Sequence, residues 1–271
     1  MPYEGDVLDA AALAAAVRES QPSAVVHLAG ESSVAGSWED VPRVWRVNVL
    51  GTVNVLEALR REQPRARMLL PSTGEVYGRA KRVPTPEDEQ VAPVSPYAAS
   101  KAAAEVASAQ AARAWRLDIV VARAFNNEGP GRDERFAVGS WTRQIVRLEA
   151  QGGGALLAGD LSAERDLTDV RDVCRAYSLL LDPSVPADTY NIASGRAVPV
   201  RRVLELLIEL ADVPIQVKQE EARLRPADIP RLAGDASRLR AATGWEPEIP
   251  LERTLADSLQ AARQAEVARV P

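Results

Sequence analysis

Tyr97 and Lys101 stand four residues apart in SPYAASKAAAE, inside a pattern that predicts a helix. Residues at that spacing share a helix face, so the ammonium can stand beside the phenol. A nearby cation favours the phenolate and makes tyrosine usable as an acid or base near neutrality. Upstream, LLPSTGEVYG puts Ser72, Thr73 and Glu75 just past an apolar strand. A hydroxyl there can hold a substrate oxygen while Tyr97 exchanges its proton. Each feature alone has a plainer reading: a surface tyrosine and lysine, a turn, a solvated loop carboxylate.

These residues need a frame that brings them together. In the first half, helical patterns alternate with short apolar strands: AALAAAVRES, then AVVHLA; a helix through VPRVWRVNVLGTVNVLEALRRE, then RMLLPST; SPYAASKAAAEVASAQAARAW, then DIVVARAF. Continuous strands rich in Val, Leu and Ile suit a sheet covered on both faces. The alternation predicts an α/β fold with a Rossmann-like, doubly wound parallel sheet. Ligands in such sheets bind beyond the carboxyl ends of the strands. After residue 126 the regularity breaks. NNEGPGRDER reads as a polar turn, followed by the helix FAVGSWTRQIVRLEAQ, a glycine run, and two shorter helices separated by the strand-like DTYNIAS. This half reads as a smaller lobe interleaved with the end of the first domain.

Composition narrows the function classes. The 271 residues carry a formal charge of -5, against a nucleic-acid or anionic-membrane partner. No apolar run approaches the roughly 20 residues of a membrane span, and the N-terminus has no signal-peptide pattern. Cys174 is the only cysteine, which fits a reducing cytoplasm; in VRDVCRAYSLLL it reads as a small core residue. His27 is the only histidine, so neither a His-based metal site nor a Ser-His-Asp triad is expected.

In order, Asp6, HLAG, Asn48, STGEVYG, PYAASK, RAFNNEGPG, RDLTDVRD, YNIASG, RPADIP and TGWEP resemble the extended short-chain dehydrogenase/reductase (epimerase/dehydratase) family. The resemblance covers essentially the whole chain. It is nearest the group of GDP-mannose 4,6-dehydratases and GDP-4-keto-6-deoxymannose reductases. It implies an NAD(P)-binding domain over residues 1–126 and a mainly nucleotide-sugar-binding lobe over 127–271. By resemblance, Asp6 and Val7 contact the cofactor's adenine, and Leu28, Ala29 and Gly30 line its ribose and pyrophosphate. Asn48 orients the active-site helix, and Phe125 flanks the nicotinamide. Thr73, Tyr97 and Lys101 form the catalytic set, Lys101 also holding the nicotinamide ribose. Ser33, Asn126, Arg165, Asn191 and Arg225 match positions that contact the nucleotide sugar, with Arg225 suited to its diphosphate.

The resemblance leaves the reaction open. Glu75 matches the base of the dehydratases, which oxidise C4, eliminate water across C5 and C6, and return the hydride to C6. Many of those relatives have a polar or acidic residue between the Thr and the Glu; here it is Gly74. That position and the NNEGPGRDERF loop favour a reductase acting on the C4 ketone of a GDP-4-keto-6-deoxyhexose, with a GDP-mannose 4,6-dehydratase or another nucleotide-sugar dehydratase or epimerase as the alternative. The cofactor is NADP or NAD, and the group works as homodimers built partly through the Tyr-Lys helix. No glycine-rich phosphate loop is found, and GDVLD resembles the end of a third strand. The expectation is half a cofactor site and an unpaired edge on AVVHLAG. The absent loop also keeps a different class in view: a non-catalytic sugar-nucleotide-binding or interaction protein.

Overall fold

The computed structural model describes residues 3–220 and 229–267. Helix α1 (Ala10–Ser20) begins at Asp9, whose carboxylate accepts from the amides of Ala11 and Ala12 at 3.1 and 3.0 Å. Strand β1 (Ala24–Val26), helices α2 (Val41–Trp45) and α3 (Gly51–Glu62), and strand β2 (Arg67–Thr73) follow. Helix α4 (Pro96–Trp115) then leads to β3 (Asp118–Ala124). The second half runs through β4 (Asn126–Glu128), α5 (Ala137–Gln151), β5 (Gly154–Ala158), β6 (Glu164–Asp169) and α6 (Val170–Leu180). It continues with β7 (Thr189–Ile192), β8 (Ala197–Pro199), α7 (Val200–Glu209) and β9 (Ile215–Gln219). Strand β10 (Arg231–Leu232) and helices α8 (Ser237–Thr243) and α9 (Leu251–Val267) close the described chain.

The main sheet is parallel, in the order β1-β2-β3-β7. Its central strands are buried on both faces, as their unbroken apolar runs require. Successive side chains point to opposite faces. Met68, Leu70, Ile119 and Val121 therefore pack under α3 and α4, while Leu69, Val120 and Ala122 pack with Val173, Leu180 and Trp245 on the other side. A fully buried leucine contributes about 1.5–3 kcal/mol, so these two layers hold the strands in register. Thr73 lies opposite Ala124, and both strands end at the same rim. Among the described residues β1 pairs only with β2, which makes it the expected sheet edge.

Strand β6 organises the second half, pairing with β4, β8 and β10, while β5 pairs with β9. Helices α5, α7 and α9 bury a separate apolar core that includes Trp141, Ile145, Leu204, Leu207, Leu255 and Leu259.

Three expectations need correction. The single helix over 41–62 contains a π-turn at 46–50. The polar turn at 126–135 begins with a strand, because Asn126–Glu128 pairs with Leu167–Asp169. Cys174 is exposed rather than core: α6 buries Asp172, Val173, Ala176 and Leu180, and position 174 falls off that stripe. Among the described residues no helix is long and apolar enough to cross a membrane.

Candidate active site

Ser72 and Thr73 are the last residues of β2 rather than lying past it, and Glu75 sits in the short 3-10 turn that follows. Thr73 caps that turn by accepting from the Glu75 amide at 3.2 Å, and its side chain is hydrogen-bonded to Tyr97. Helix α4 starts on Ser95, whose hydroxyl accepts from the Ala98 amide at 3.2 Å, with Pro96 at the first helical position. Tyr97 and Lys101 then fall one turn apart, both opening on a cavity of about 210 Å³ at the rim of the sheet.

Asn48 fixes that helix. Its amide nitrogen donates to Ser100 Oγ at 2.9 Å and to the Glu31 carbonyl at 3.0 Å, and its Oδ1 accepts from the Glu31 amide at 2.8 Å. Ser100 donates to the Tyr97 carbonyl at 2.7 Å. The π-turn therefore staples the loop after β1 to the Tyr-Lys turn, an arrangement such turns often serve at functional sites. Thr52 donates to the Asn48 carbonyl at 2.6 Å, which leaves His27 Nε2 as the donor to Thr52 Oγ1 at 3.1 Å. His27 is neutral near pH 7, pushed down to about 4 by burial and by the Lys101 charge.

Burial brings Lys101 down to about 8, with Glu105 opposing the fall. The tyrosine departs from expectation. Burial, then the Glu75 carboxylate, raise Tyr97 above its ordinary value, against the Thr73 hydrogen bond and the Arg132 charge. Tyr97 is thus a protonated phenol near neutrality.

The opposite wall comes from the second half of the chain. Phe125 is clamped between two glycines: a Cβ at Gly74 would lie 2.7 Å from its ring, and Gly234 closes the other side. Asn126 lines the cavity, and its Oδ1 is buried with no hydrogen-bond partner. Leu28, Gly30 and Ser33 line it too, with Leu28 71% exposed. Ala29 lies exposed between them. Asp6 and Val7 sit apart, Val7 against Gly51 of α3 and Asp6 exposed at the surface.

Arg165 and Asn191 are not brought to the cavity. Arg165 is buried and donates to the carbonyls of Glu164 and Ile229 at 2.9 and 2.7 Å. Asn191 accepts from the Tyr77 hydroxyl at 2.7 Å and donates to the carbonyls of Thr85 and Asp235. Arg225 lies outside the described residues.

The family described as GDP-mannose 4,6 dehydratase matches the chain over residues 2–258. The chain belongs to that family. It is 39% identical over 240 residues to the GDP-6-deoxy-D-mannose reductase of Pseudomonas aeruginosa, covering 86% of this chain and 78% of that protein. It is 28% identical to the GDP-mannose 4,6-dehydratase of Yersinia enterocolitica, over 97% of this chain and 80% of that one. The solved structure of RMD from Pseudomonas aeruginosa complexed with NADPH superposes with a TM-score of 0.90 at 34% identity, covering 97% of this chain and 89% of that one.

In this dehydratase-family chain the cavity also holds residues the sequence did not single out. Arg132 lies 3.6 Å above the Phe136 ring and 3.5 Å from Glu128, and Tyr177 reaches in from α6. Glu128 is buried and pushed up to about 7 by that burial, against the pull of Arg132. The one available signal was the acid-to-base spacing of four from Glu128 to Arg132; Tyr177 had none.

Proposed function

We propose that this protein reduces the C4 ketone of a GDP-4-keto-6-deoxyhexose, using NADPH or NADH. The observation that carries this reading is the contact between Gly74 and Phe125. A side chain between Thr73 and Glu75 would enter the Phe125 ring, so the site has no group there to assist departure of a C6 oxygen. The protonated Tyr97 agrees with it, since ketone reduction needs an acid at the C4 oxygen.

The cavity fits a nicotinamide end. Gly30 packs tightly on Asn48, where a Cβ would stand 3.0 Å from Oδ1, and exposed Leu28 offers an apolar face near Lys101 and Phe125. Leu28, Gly30, Lys101 and Phe125 would hold that end, with Asp6 and Val7 toward the adenine. When bound, the reduced cofactor supplies a hydride to C4. Thr73 holds the C4 oxygen, and Tyr97 gives it a proton, so the ketone becomes a secondary alcohol. Lys101 stabilises the charge on Tyr97 as the proton leaves. Asn126 Oδ1 accepts from a substrate hydroxyl or amide.

In this reading residues 1–126 serve the cofactor and 127–271 the sugar nucleotide. The protein acts in the cytoplasm as a homodimer through α4, whose Val106 is 68% exposed. A second reading, the 4,6-dehydratase, is favoured by Glu75, which reaches the same cavity. Two incubations separate them. Loss of NADPH absorbance on adding GDP-4-keto-6-deoxymannose is the expected result. Conversion of GDP-mannose with no net change in cofactor would establish the dehydratase instead.

A further inference from the structure

Behind the catalytic wall lies a pair of charges that the chemistry above does not use. Glu105 is one turn beyond Lys101 on the same face of α4, and Arg123 is two residues before Phe125 on β3. Both are buried. The guanidinium donates to the carboxylate at 2.6, 3.0 and 3.2 Å. Ser72 donates to the same carboxylate. Arg123 also donates to the Tyr77 hydroxyl at 2.9 Å, and Tyr77 passes its own hydrogen to Asn191. One network thus ties α4, β2, β3, β7 and the turn bearing Glu75. A buried ion pair is a poor source of stability, because desolvating two charges offsets their attraction. Its place invites a different role.

We propose that Glu105 is a positioning residue for the catalytic wall: its carboxylate keeps Lys101 an ammonium and, through Ser72, fixes Thr73 at the end of β2. Lys101 is largely enclosed, and burial works against its charge. His27 faces it from the end of β1 and is neutral near pH 7. Tyr97, on its own helix, is neutral as well. Across the cavity stand Glu75, Arg132 and Tyr177, with Glu31 and Arg135 also in the lining. Glu105 is the group whose charge opposes the loss of the Lys101 proton. Ser72 is adjacent to Thr73 in the chain, so its bond to Glu105 sets where the Thr73 hydroxyl lies.

The inference rests on the proposed reductase only for its effect on turnover; the charge on Lys101 is measured without any reaction. The chain has three lysines, and the other two, Lys81 and Lys218, are exposed. NMR of protein labelled with ¹³Cε-lysine therefore follows Lys101 directly, with Lys81→Arg and Lys218→Arg confirming the assignment. The wild type should titrate near 8, well below the other two. Glu105→Gln should move that midpoint lower, and half a unit would cut the ammonium fraction above it by about threefold. Should the single variant not fold with Arg123 unpaired, Glu105→Gln is made in an Arg123→Gln background and read against Arg123→Gln alone, where the midpoint should again be lower without the Glu105 charge. An unmoved midpoint in either folded variant overturns the charge role. Ser72→Ala should leave the midpoint in place and lower kcat several-fold; unchanged kcat overturns the link to Thr73.

Discussion

The two walls of the cavity differ in how completely their polar groups are used. On the β2–α4 wall, Asn48 donates to Ser100, Ser100 donates to the Tyr97 carbonyl, and Thr73 is hydrogen-bonded to the Glu75 amide and to Tyr97. On the β4 side, Asn126 Oδ1 is buried without a hydrogen-bond partner, and behind it Glu128 Oε2 and Arg132 Nε meet only as an ion pair at 3.5 Å. Buried polar groups are usually satisfied, so the contrast is informative. The first wall holds its geometry before any substrate arrives, which is what transition-state stabilisation requires. The second keeps an acceptor, Asn126 Oδ1, in reserve. In the proposed reading, chemistry belongs to the first wall and recognition to the second.

Substitutions can break that division. Tyr97→Phe removes the proton donor and should lower kcat by about 10³-fold while leaving cofactor affinity nearly unchanged, as read by steady-state kinetics and fluorescence titration. Turnover that survives this change would refute the assignment. Glu128 tests the other wall through pH. Its folded value of about 7 lies above the ordinary carboxyl value, so the folded state holds this proton more tightly than the unfolded chain. The penalty for the buried carboxylate is absent below the ordinary value, grows as pH rises, and is complete above about 7. Glu128→Gln should therefore gain on the wild type between about pH 5 and about pH 8, by up to about 3 kcal/mol. Melting curves showing the same difference at both ends contradict this.

Phe125 joins the walls, and Gly74 is the test of that joint. Gly74→Ala should cost about 1–3 kcal/mol in urea unfolding, because its Cβ has no room beside the ring. Phe125→Leu in the same chain should recover part of the loss. Asn126→Ala carries the smallest effect: KM for the sugar nucleotide rises about tenfold, with kcat and Tm nearly unchanged. A fall in kcat instead would move Asn126 to the chemical side.

The catalytic wall was far more legible in the sequence than the recognition wall. The strands 67–73 and 118–124 carry the apolar runs MLLP and IVVA and are buried on both faces, and Tyr97 with Lys101 needs only the helical period to meet. The β4 wall rests on strands that give no such signal. Asn126–Glu128 is three polar residues, and Glu164–Asp169 is mostly charged. Their pairing is set by tertiary context. Arg165 and Asn191 matched a family pattern, yet here their polar groups bond to neighbouring backbone and to Tyr77. The phenol's raised pKa was hidden for a related reason: helical spacing reveals Lys101 but not the burial or the Glu75 charge acting on Tyr97.

The direction of hydride movement tests the central claim most directly. NADPH carrying deuterium on its transferable position is incubated with the protein and GDP-4-keto-6-deoxymannose, and the product sugar is analysed by NMR. Deuterium at C4 is the predicted result. Contradiction would be a product free of deuterium, together with GDP-mannose labelled at C4 emerging as a keto sugar with the label at C6.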